Sequence, residues 1–300
     1  MTSSPYFSII IPHYNNPSDL QRCLDSVPCR DDLEVIVVDD HSDPGKVDFE
    51  HFPGLDRPDT SVVFCDGKAG KGPGYARNVG LERAKGRWVV FSDSDDYFTP
   101  AFGEVLDRRM GSDAEVIYFK VCRRSTDGAV RPYALFNDAI DQARSSGVPD
   151  PISFGVPSPV AKMIRRDFLM SHGIRYQQIT CGDDILFSVR MALSLRRHEL
   201  SDDVIYCVCD RPGSLTRNND WHSFRNYTIA CCEAFKLMAP AGRDRLAYSW
   251  TASWWGRLWA ESRPRALAML PRVAAAMGPL RSLHCLKKAV KVGKWKWDEA

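Results

Sequence analysis

The chain has 300 residues, of which 44% are hydrophobic and 26% charged, and a formal net charge of +2. That is the profile of a globular protein long enough to bury a substantial core. It gives no electrostatic footprint for nucleic acid, and no apolar run reaches the length needed to cross a bilayer. The opening MTSSPYFSII lacks a basic stretch followed by an apolar one, so no secretory signal is expected and the setting is read as cytoplasmic.

From the N-terminus, YFSIII (6–11) predicts a buried strand stopped by Pro12. Asn16 then stands as an N-cap and Pro17 as the first helical residue, with Leu20, Cys23, Leu24 and Val27 at helical spacing. LEVIVV (33–38) predicts a second strand, running into Asp39 and Asp40, and SVVF (61–64) a short third. The glycine-rich GKAGKGPG (67–74) precedes a helix that Pro73 starts and Gly86 ends. A strand over 88–92 runs into Asp93, Asp95 and Asp96. Thr99-Pro100 opens another helix, and EVIYFKV (115–121) is a further strand.

VPDPISFGVPSP (148–159) reads as a connector, AKMIRRDFLMSHGI (161–174) as a helix, and CGDDILFSVRMALSL (181–195) as an amphipathic helix. Beyond residue 220 lie seven of the eight tryptophans, in segments of helical character. Apolar strands separated by helices predict an α/β fold, a parallel or mixed sheet with helices on both faces. We place this domain at 1–217 and a C-terminal helical appendage at 218–300. The ten cysteines form no C-x-x-C pair and read as reduced, small hydrophobic residues.

Ligands of such sheets bind at the carboxyl ends of the strands, where Asp39, Asp40, Asp93 and Asp95 fall. Residues two apart in an extended segment point the same way, so Asp93 and Asp95 address one ligand. Two converging carboxylates suit Mg²⁺ or Mn²⁺ with substrate phosphates completing the shell; alone, the same residues also serve as a cap or a solvated turn. An EF-hand is excluded, because Tyr97 and Phe98 stand where an oxygen ligand and a glycine are required. The loop at 67–74 is no Walker A motif, since Pro73 follows Gly72. Lys68 and Lys71 with backbone N–H groups either approach a diphosphate or line a solvated loop. Asp183 and Asp184, ahead of an amphipathic helix, either cap it or supply a general base.

In order and spacing, SIIIPHYNN, LQRCLDSV, EVIVVDDHS, GPGYARNVGLERAKGRWVVFSDSDDYF and CGDDILFSVR resemble family 2 glycosyltransferases of GT-A fold, over roughly residues 6–217. The resemblance implies inverting transfer of a sugar from a nucleotide diphosphate sugar, usually a UDP-sugar, to a glycan or lipid-linked acceptor. It places Pro12, Tyr14 and Asp40 (or Asp39) at the nucleobase, and Lys71, Gly72 and Arg77 along the nucleotide. It places Asp93 and Ser94 near the ribose or sugar, and Asp95 on a Mn²⁺ or Mg²⁺ ion. Asp184 takes the place of the family's catalytic base, with Asp183 where the family usually has glutamate. RPGSLTR makes Arg211, Ser214 and Arg217 candidates for the diphosphate side, and His222 is either a further ligand or a surface histidine. A sugar nucleotidyltransferase needs a glycine-rich loop where PHYNNPSD stands, and a silent carbohydrate-binding protein has no use for Asp95 and Asp184. The basic, Trp-containing LRSLHCLKKAVKVGKWKW is read as either a membrane-surface segment or a solvated helix.

Overall fold

The computed structural model describes residues 4–65, 70–211 and 220–294. Among these, nine strands form one sheet: β1 (Phe7–His13), β2 (Leu33–Asp39), β3 (Thr60–Phe64), β4 (Trp88–Phe91), β5 (Tyr97–Phe98), β6 (Val116–Arg124), β7 (Val130–Pro132), β8 (Lys162–Arg165) and β9 (His198–Cys209). Their order is β3-β2-β1-β4-β8-β6-β9-β5, with β7 added to β6. The β3-β2-β1-β4 half is parallel, β8 runs antiparallel to both β4 and β6, and β6 and β9 are parallel again. Helices α1 (Pro17–Asp25), α2 (Pro73–Arg83), α3 (Phe102–Arg109), α4 (Ala134–Ser146), α5 (Asp150–Ser153), α6 (Arg166–Ser171) and α7 (Asp183–Ser194) flank the sheet. Helices α8 (Trp221–Met238), α9 (Asp244–Glu261), α10 (Arg263–Ala268), α11 (Leu270–Met277) and α12 (Pro279–Lys294) follow.

The parallel half forms because β1 and β4 are buried along their whole length and β2 at all but one position. Ile9, Ile10 and Ile11 are fully buried, each worth about 1.5–3 kcal/mol against exposure. The register pairs His13 with Asp39 and Ile10 with Phe91, so three chain reversals leave the sheet at one edge. Helix α2 is seated tightly there: a Cβ on Gly74 would lie 2.0 Å from the Gln177 carbonyl oxygen and 2.9 Å from Asp183 Cβ. Glycine is what lets the first turn of α2 touch the segment leading into α7.

Two expectations differ. Residues 161–174 are not one helix: Lys162–Arg165 is the strand β8, and only Arg166–Ser171 is helical. Lys162, Met163 and Ile164 are buried between β4 and β6, and the open ladder edges there outweigh helical propensity. The connector at 148–159 also holds the short helix α5.

Two apolar cores meet at α7. Phe187 and Met191, one turn apart, join the sheet core, whereas Ile185, Leu186 and Val189 join a second core built on Phe235, Trp255 and Cys285 of the C-terminal helices. Within that second unit Ser282, Cys285 and Ala289 of α12 are buried. Arg281 pairs with Asp244 at 2.8 Å and Lys288 approaches Ser249 Oγ at 3.3 Å. The sequence had grouped these two cations with Lys287, Lys291, Lys294 and Lys296; the last of these, with Trp295 and Trp297, lies outside the described residues.

Candidate active site

The strand ends place the acidic residues, and arginines decide how each is used. Asp39, at the end of β2, is fully enclosed. It accepts from His13 Nδ1 at 2.8 Å, Ser42 Oγ at 2.5 Å and the Ser42 amide at 3.0 Å. Burial pushes its pKa up, but the bonds from His13 and Ser42 outweigh that and hold it below the ordinary carboxylate range. Asp40 instead faces the glycine-rich loop, accepting from the Gly72 amide at 2.7 Å and His41 Nδ1 at 3.0 Å. Gly72 has φ 99°, and its amide is turned toward Asp40 as the N-cap of α2. Pro12 is buried within β1, Tyr14 just beyond it is exposed, and Lys71 is exposed.

Arg77, in the second turn of α2, is the centre of the site. Its Nη2 donates to Asp93 Oδ1 at 2.5 Å and its Nη1 to Asp183 Oδ2 at 2.7 Å, with the Tyr176 ring 5.3 Å from the guanidinium. Burial alone would discourage the charge; Asp93 and Asp183 hold it firmly protonated. Asp183 is raised by burial, with Arg77 opposing. Asp184, the next residue, is pushed up to about 7 by burial first and by the Asp183 charge second. An unperturbed aspartate would be ionised far below neutrality, so its surroundings, not its type, set its protonation.

After β4 the chain turns through Asp93, Ser94, Asp95 and Asp96, whose three carboxylates lie within 4.8 Å of one another. They are not equivalent. Asp96 is buried, with Oδ1 accepting from the Cys209 amide at 2.8 Å and Oδ2 from Tyr206 Oη at 2.9 Å. Burial, and then the charges of Asp93 and Asp95, raise it well above its ordinary value. Tyr206 Oη also accepts from the Asp93 amide at 2.9 Å, so β9 fixes the turn from beneath. Asp95 Oδ2 accepts from Arg211 Nε at 2.5 Å, and Arg22 Nη2 donates to the Asp95 carbonyl at 2.5 Å. Burial, and then Asp93, raise Asp95. Arg22, Arg124 and Arg211 line a cleft of about 210 Å³ beside Asp95.

The structure thus brings Arg77, Asp93, Asp95, Asp183, Asp184 and Arg211 together at one sheet edge. Ser214 and Arg217 lie outside the described residues. His222, in the first turn of α8, packs on the Trp221 ring at 3.6 Å and is not in the acidic cluster found among the described residues. Sequence reasoning passed over Arg22, Tyr206 and Tyr227. Arg22 lies within LQRCLDSV beside the apolar stripe of α1, and Tyr206 inside a strand, and no role was assigned to either. Tyr227 stacks on Trp254 at 4.0 Å and backs Gly182, where an added Cβ would meet it at 2.9 Å.

A mixed sheet flanked by helices, with carboxylates and arginines at its carboxyl edge, is the architecture of the GT-A fold. The sequence pattern of glycosyl transferase family 2 matches residues 8–173, more than half of the chain, and the protein belongs to that family. It is 26% identical over 220 residues to the glycosyltransferase YibD of Escherichia coli, covering 69% of this chain and 62% of YibD. It is 28% identical over 217 residues to the poly(ribitol-phosphate) β-N-acetylglucosaminyltransferase TarS of Staphylococcus aureus, covering 69% of this chain and 36% of TarS. The chain therefore spans less than two thirds of either relative. The crystal structure of S. aureus TarS 1–349 in complex with UDP-GlcNAc superposes with a TM-score of 0.67 at 22% identity, covering 96% of this chain and 89% of that one. That likeness is one of fold.

Proposed function

We propose that the protein transfers a sugar, with inversion, from a nucleotide diphosphate sugar of the UDP class to a hydroxyl of a glycan or lipid-linked acceptor in cell-surface polysaccharide synthesis. The observation that carries this reading is the Arg77 bridge. One buried guanidinium joins Asp93, at the end of a nucleotide-site strand, to Asp183, beside the acid–base candidate Asp184. Donor and acceptor chemistry thereby share one rigid support. The UDP-sugar partners of TarS agree with that donor class.

Asp184 acts as the base. It takes the proton from the acceptor hydroxyl as the oxygen attacks the anomeric carbon from the face opposite the leaving group. The bond from that carbon to the diphosphate oxygen breaks, and its electron pair leaves with the nucleoside diphosphate. Arg22, Arg124 and Arg211, which line the cleft beside Asp95, would stabilise that charge, and fixed cations at a developing anion are effective because they need no reorganisation. Tyr14, Pro12 and Asp40 border the base, and Lys71, Gly72 and Ser94 complete the donor pocket. The region 1–217 is the catalytic domain and 218–300 the C-terminal helical region, whose described helices pack on it through α7.

The acidic turn fits a hard divalent cation. Asp93 Oδ2 and Asp95 Oδ1 accept no hydrogen bond among the described residues, whereas both oxygens of Asp96 are spent. Asp93 and Asp95, and not Asp96, would hold Mn²⁺ or Mg²⁺, which when bound supplies Lewis-acid stabilisation of the leaving diphosphate. The test is a panel of nucleotide sugars screened by thermal shift with Mn²⁺, followed by transfer to glycan acceptors and assignment of the product anomer. Retained configuration, or no stabilisation by any nucleotide sugar, overturns the reading.

We also propose peripheral contact with an anionic membrane, at its cytoplasmic face. No acidic residue lies between Glu261 and Asp298. On α12, Leu280 (82% exposed) and Leu283 (51%) share a face with Lys287 and Lys291, which have no partner among the described residues. Apolar side chains flanked by unpaired cations match a lipid surface. Among the described residues, no helix is long and apolar enough to cross a membrane.

A further inference from the structure

A second cleft lies outside the acidic turn, along the hairpin of β6 and β7. It has a volume of about 430 Å³, and Arg123, Arg131, Tyr133 and Leu135 are among the side chains lining it. Ser125 and Asp210 line both this cleft and the smaller one beside Asp95, so the two form one groove running outward from that turn. Five arginines and three aspartates line the groove. Each aspartate is already matched: Asp19 with Arg22 at 2.6 Å, Asp95 with Arg211 at 2.5 Å, and Asp210 with Arg123 at 2.7 Å. Arg124 and Arg131 are exposed and pair with no carboxylate among the described residues. Asp127, on the hairpin turn, is engaged by Ser125 Oγ and the Ala129 amide instead. The register also sets Arg131 directly opposite Arg123, and like charges directly opposite each other in a sheet are destabilising. The hairpin holds a surplus of positive charge against its own stability.

We propose that this groove receives the acceptor, and that the acceptor is a saccharide chain carrying anionic groups, phosphate or carboxylate. The inference rests on the glycosyl-transfer reading above and supplies the acceptor's chemical class. Position separates the groove from the donor's nucleoside. The strands that the proposed function gives to the nucleobase, β1 and β2, lie on one side of β4, and β6 lies on the other, beyond β8. A ligand in the outer cleft therefore extends away from the nucleobase, starting from the turn that holds Asp95. Composition separates a chain from a small ion. Leu135 is 53% exposed, and the Tyr133 ring, with the Arg123 guanidinium 5.1 Å from its centre, is partly exposed. Sugar rings have apolar C–H faces that cover such surface. The guanidinium groups of Arg124 and Arg131 suit a phosphate or carboxylate, which they can hold through paired hydrogen bonds.

The test is calorimetric binding of three oligosaccharides to the full chain: neutral maltohexaose, phosphorylated maltohexaose and hexagalacturonate. The anionic chains bind more tightly than the neutral one, and high salt removes the difference. A preference between phosphate and carboxylate identifies the group. Arg131→Glu turns a repulsive cross-strand pair into an attractive one, so its urea midpoint stays or rises, yet it weakens binding of the anionic chain roughly 10-fold. Lost stability cannot then explain lost binding. Arg131→Gln, which removes the charge without reversing it, weakens binding roughly 3-fold. UDP binding is unchanged in both variants, because Arg131 does not line the cleft beside Asp95. Anionic chains that bind no more tightly than the neutral one, or that bind Arg131→Glu as they bind the native chain, overturn the inference. So does an equal loss of UDP affinity, which would give the groove to the donor. Binding of an anionic chain without transfer onto it from any nucleotide sugar would leave the groove standing and fault the glycosyl-transfer reading.

Discussion

Arg77 Nη1 donates to Asp183 Oδ2 at 2.7 Å, with both side chains buried. The same guanidinium holds Asp93, so under the proposed function Asp183 is tied to the donor side of the site as well as to the acceptor side. Breaking a buried pair by removing one partner costs about 3–5 kcal/mol. Arg77→Met, which strands both carboxylates, lowers stability by that order in urea unfolding. Asp183→Asn keeps an acceptor oxygen for Arg77 and costs under about 2 kcal/mol. It raises acceptor KM and, through Arg77 and Asp93, weakens donor binding measured by calorimetry. Normal donor affinity in Asp183→Asn would show that the bridge carries nothing between the two halves.

For Asp184, general-base catalysis contributes about 10²–10⁴-fold, and Asp184→Asn lowers kcat by that order with donor affinity nearly unchanged. The base works only when deprotonated, and its pKa is raised to about 7. Turnover of the native chain therefore climbs through neutral pH and falls about tenfold per pH unit below it. A profile flat down to pH 5 would mean that an ordinary carboxylate, or another residue, takes the proton.

Asp93 and Asp95 each keep one carboxylate oxygen that accepts no hydrogen bond among the described residues, the pair proposed to hold a cation. Excess EDTA and Asp95→Ala should each reduce turnover by roughly 10²–10³-fold, the scale of several kcal/mol of charge stabilisation. Mn²⁺ restores the first and not the second. Asp96→Asn leaves metal affinity nearly unchanged, because its oxygens serve Tyr206 and Cys209. Equal loss of metal binding in Asp95→Ala and Asp96→Asn, read by calorimetry, would contradict this division.

Tyr206→Phe removes one hydroxyl from beneath both aspartates. An unsatisfied buried group costs about 1–3 kcal/mol, and the loss should be less than additive with that of Asp96→Asn, since the two variants share the Tyr206–Asp96 contact. Additive losses in a double-mutant cycle of urea midpoints would place Asp96 outside this network.

The membrane face is tested on the exposed stripe of α12, because deleting the segment from residue 281 onward would strip Ser282, Cys285 and Ala289 from the second core. Each charge near an anionic surface adds about 1 kcal/mol. Lys287→Gln with Lys291→Gln should therefore weaken binding to phosphatidylserine-containing vesicles by roughly 30-fold, with the native binding lost at high salt. Unchanged co-sedimentation would remove the lipid surface as the occupant.

By itself the sequence determined the parallel half of the sheet and the places where carboxylates leave it. Buried strands announce themselves as runs such as SIII and VIVV, and Pro17, Pro73 and Asp183 mark helix starts through local backbone chemistry. It did not show β8, where the ladder edges of two distant strands overrule a helical pattern. Nor did it tell apart three aspartates within four residues. Asp96 and Asp39 are spent inside the fold while Asp93 and Asp95 keep open oxygens, and partners up to 113 residues away, Cys209 for Asp96, make that difference. The protonation of Asp184 belongs to tertiary structure too. A carboxylate's proton affinity depends on burial and on the charges packed around it, and neither is written in its neighbours along the chain.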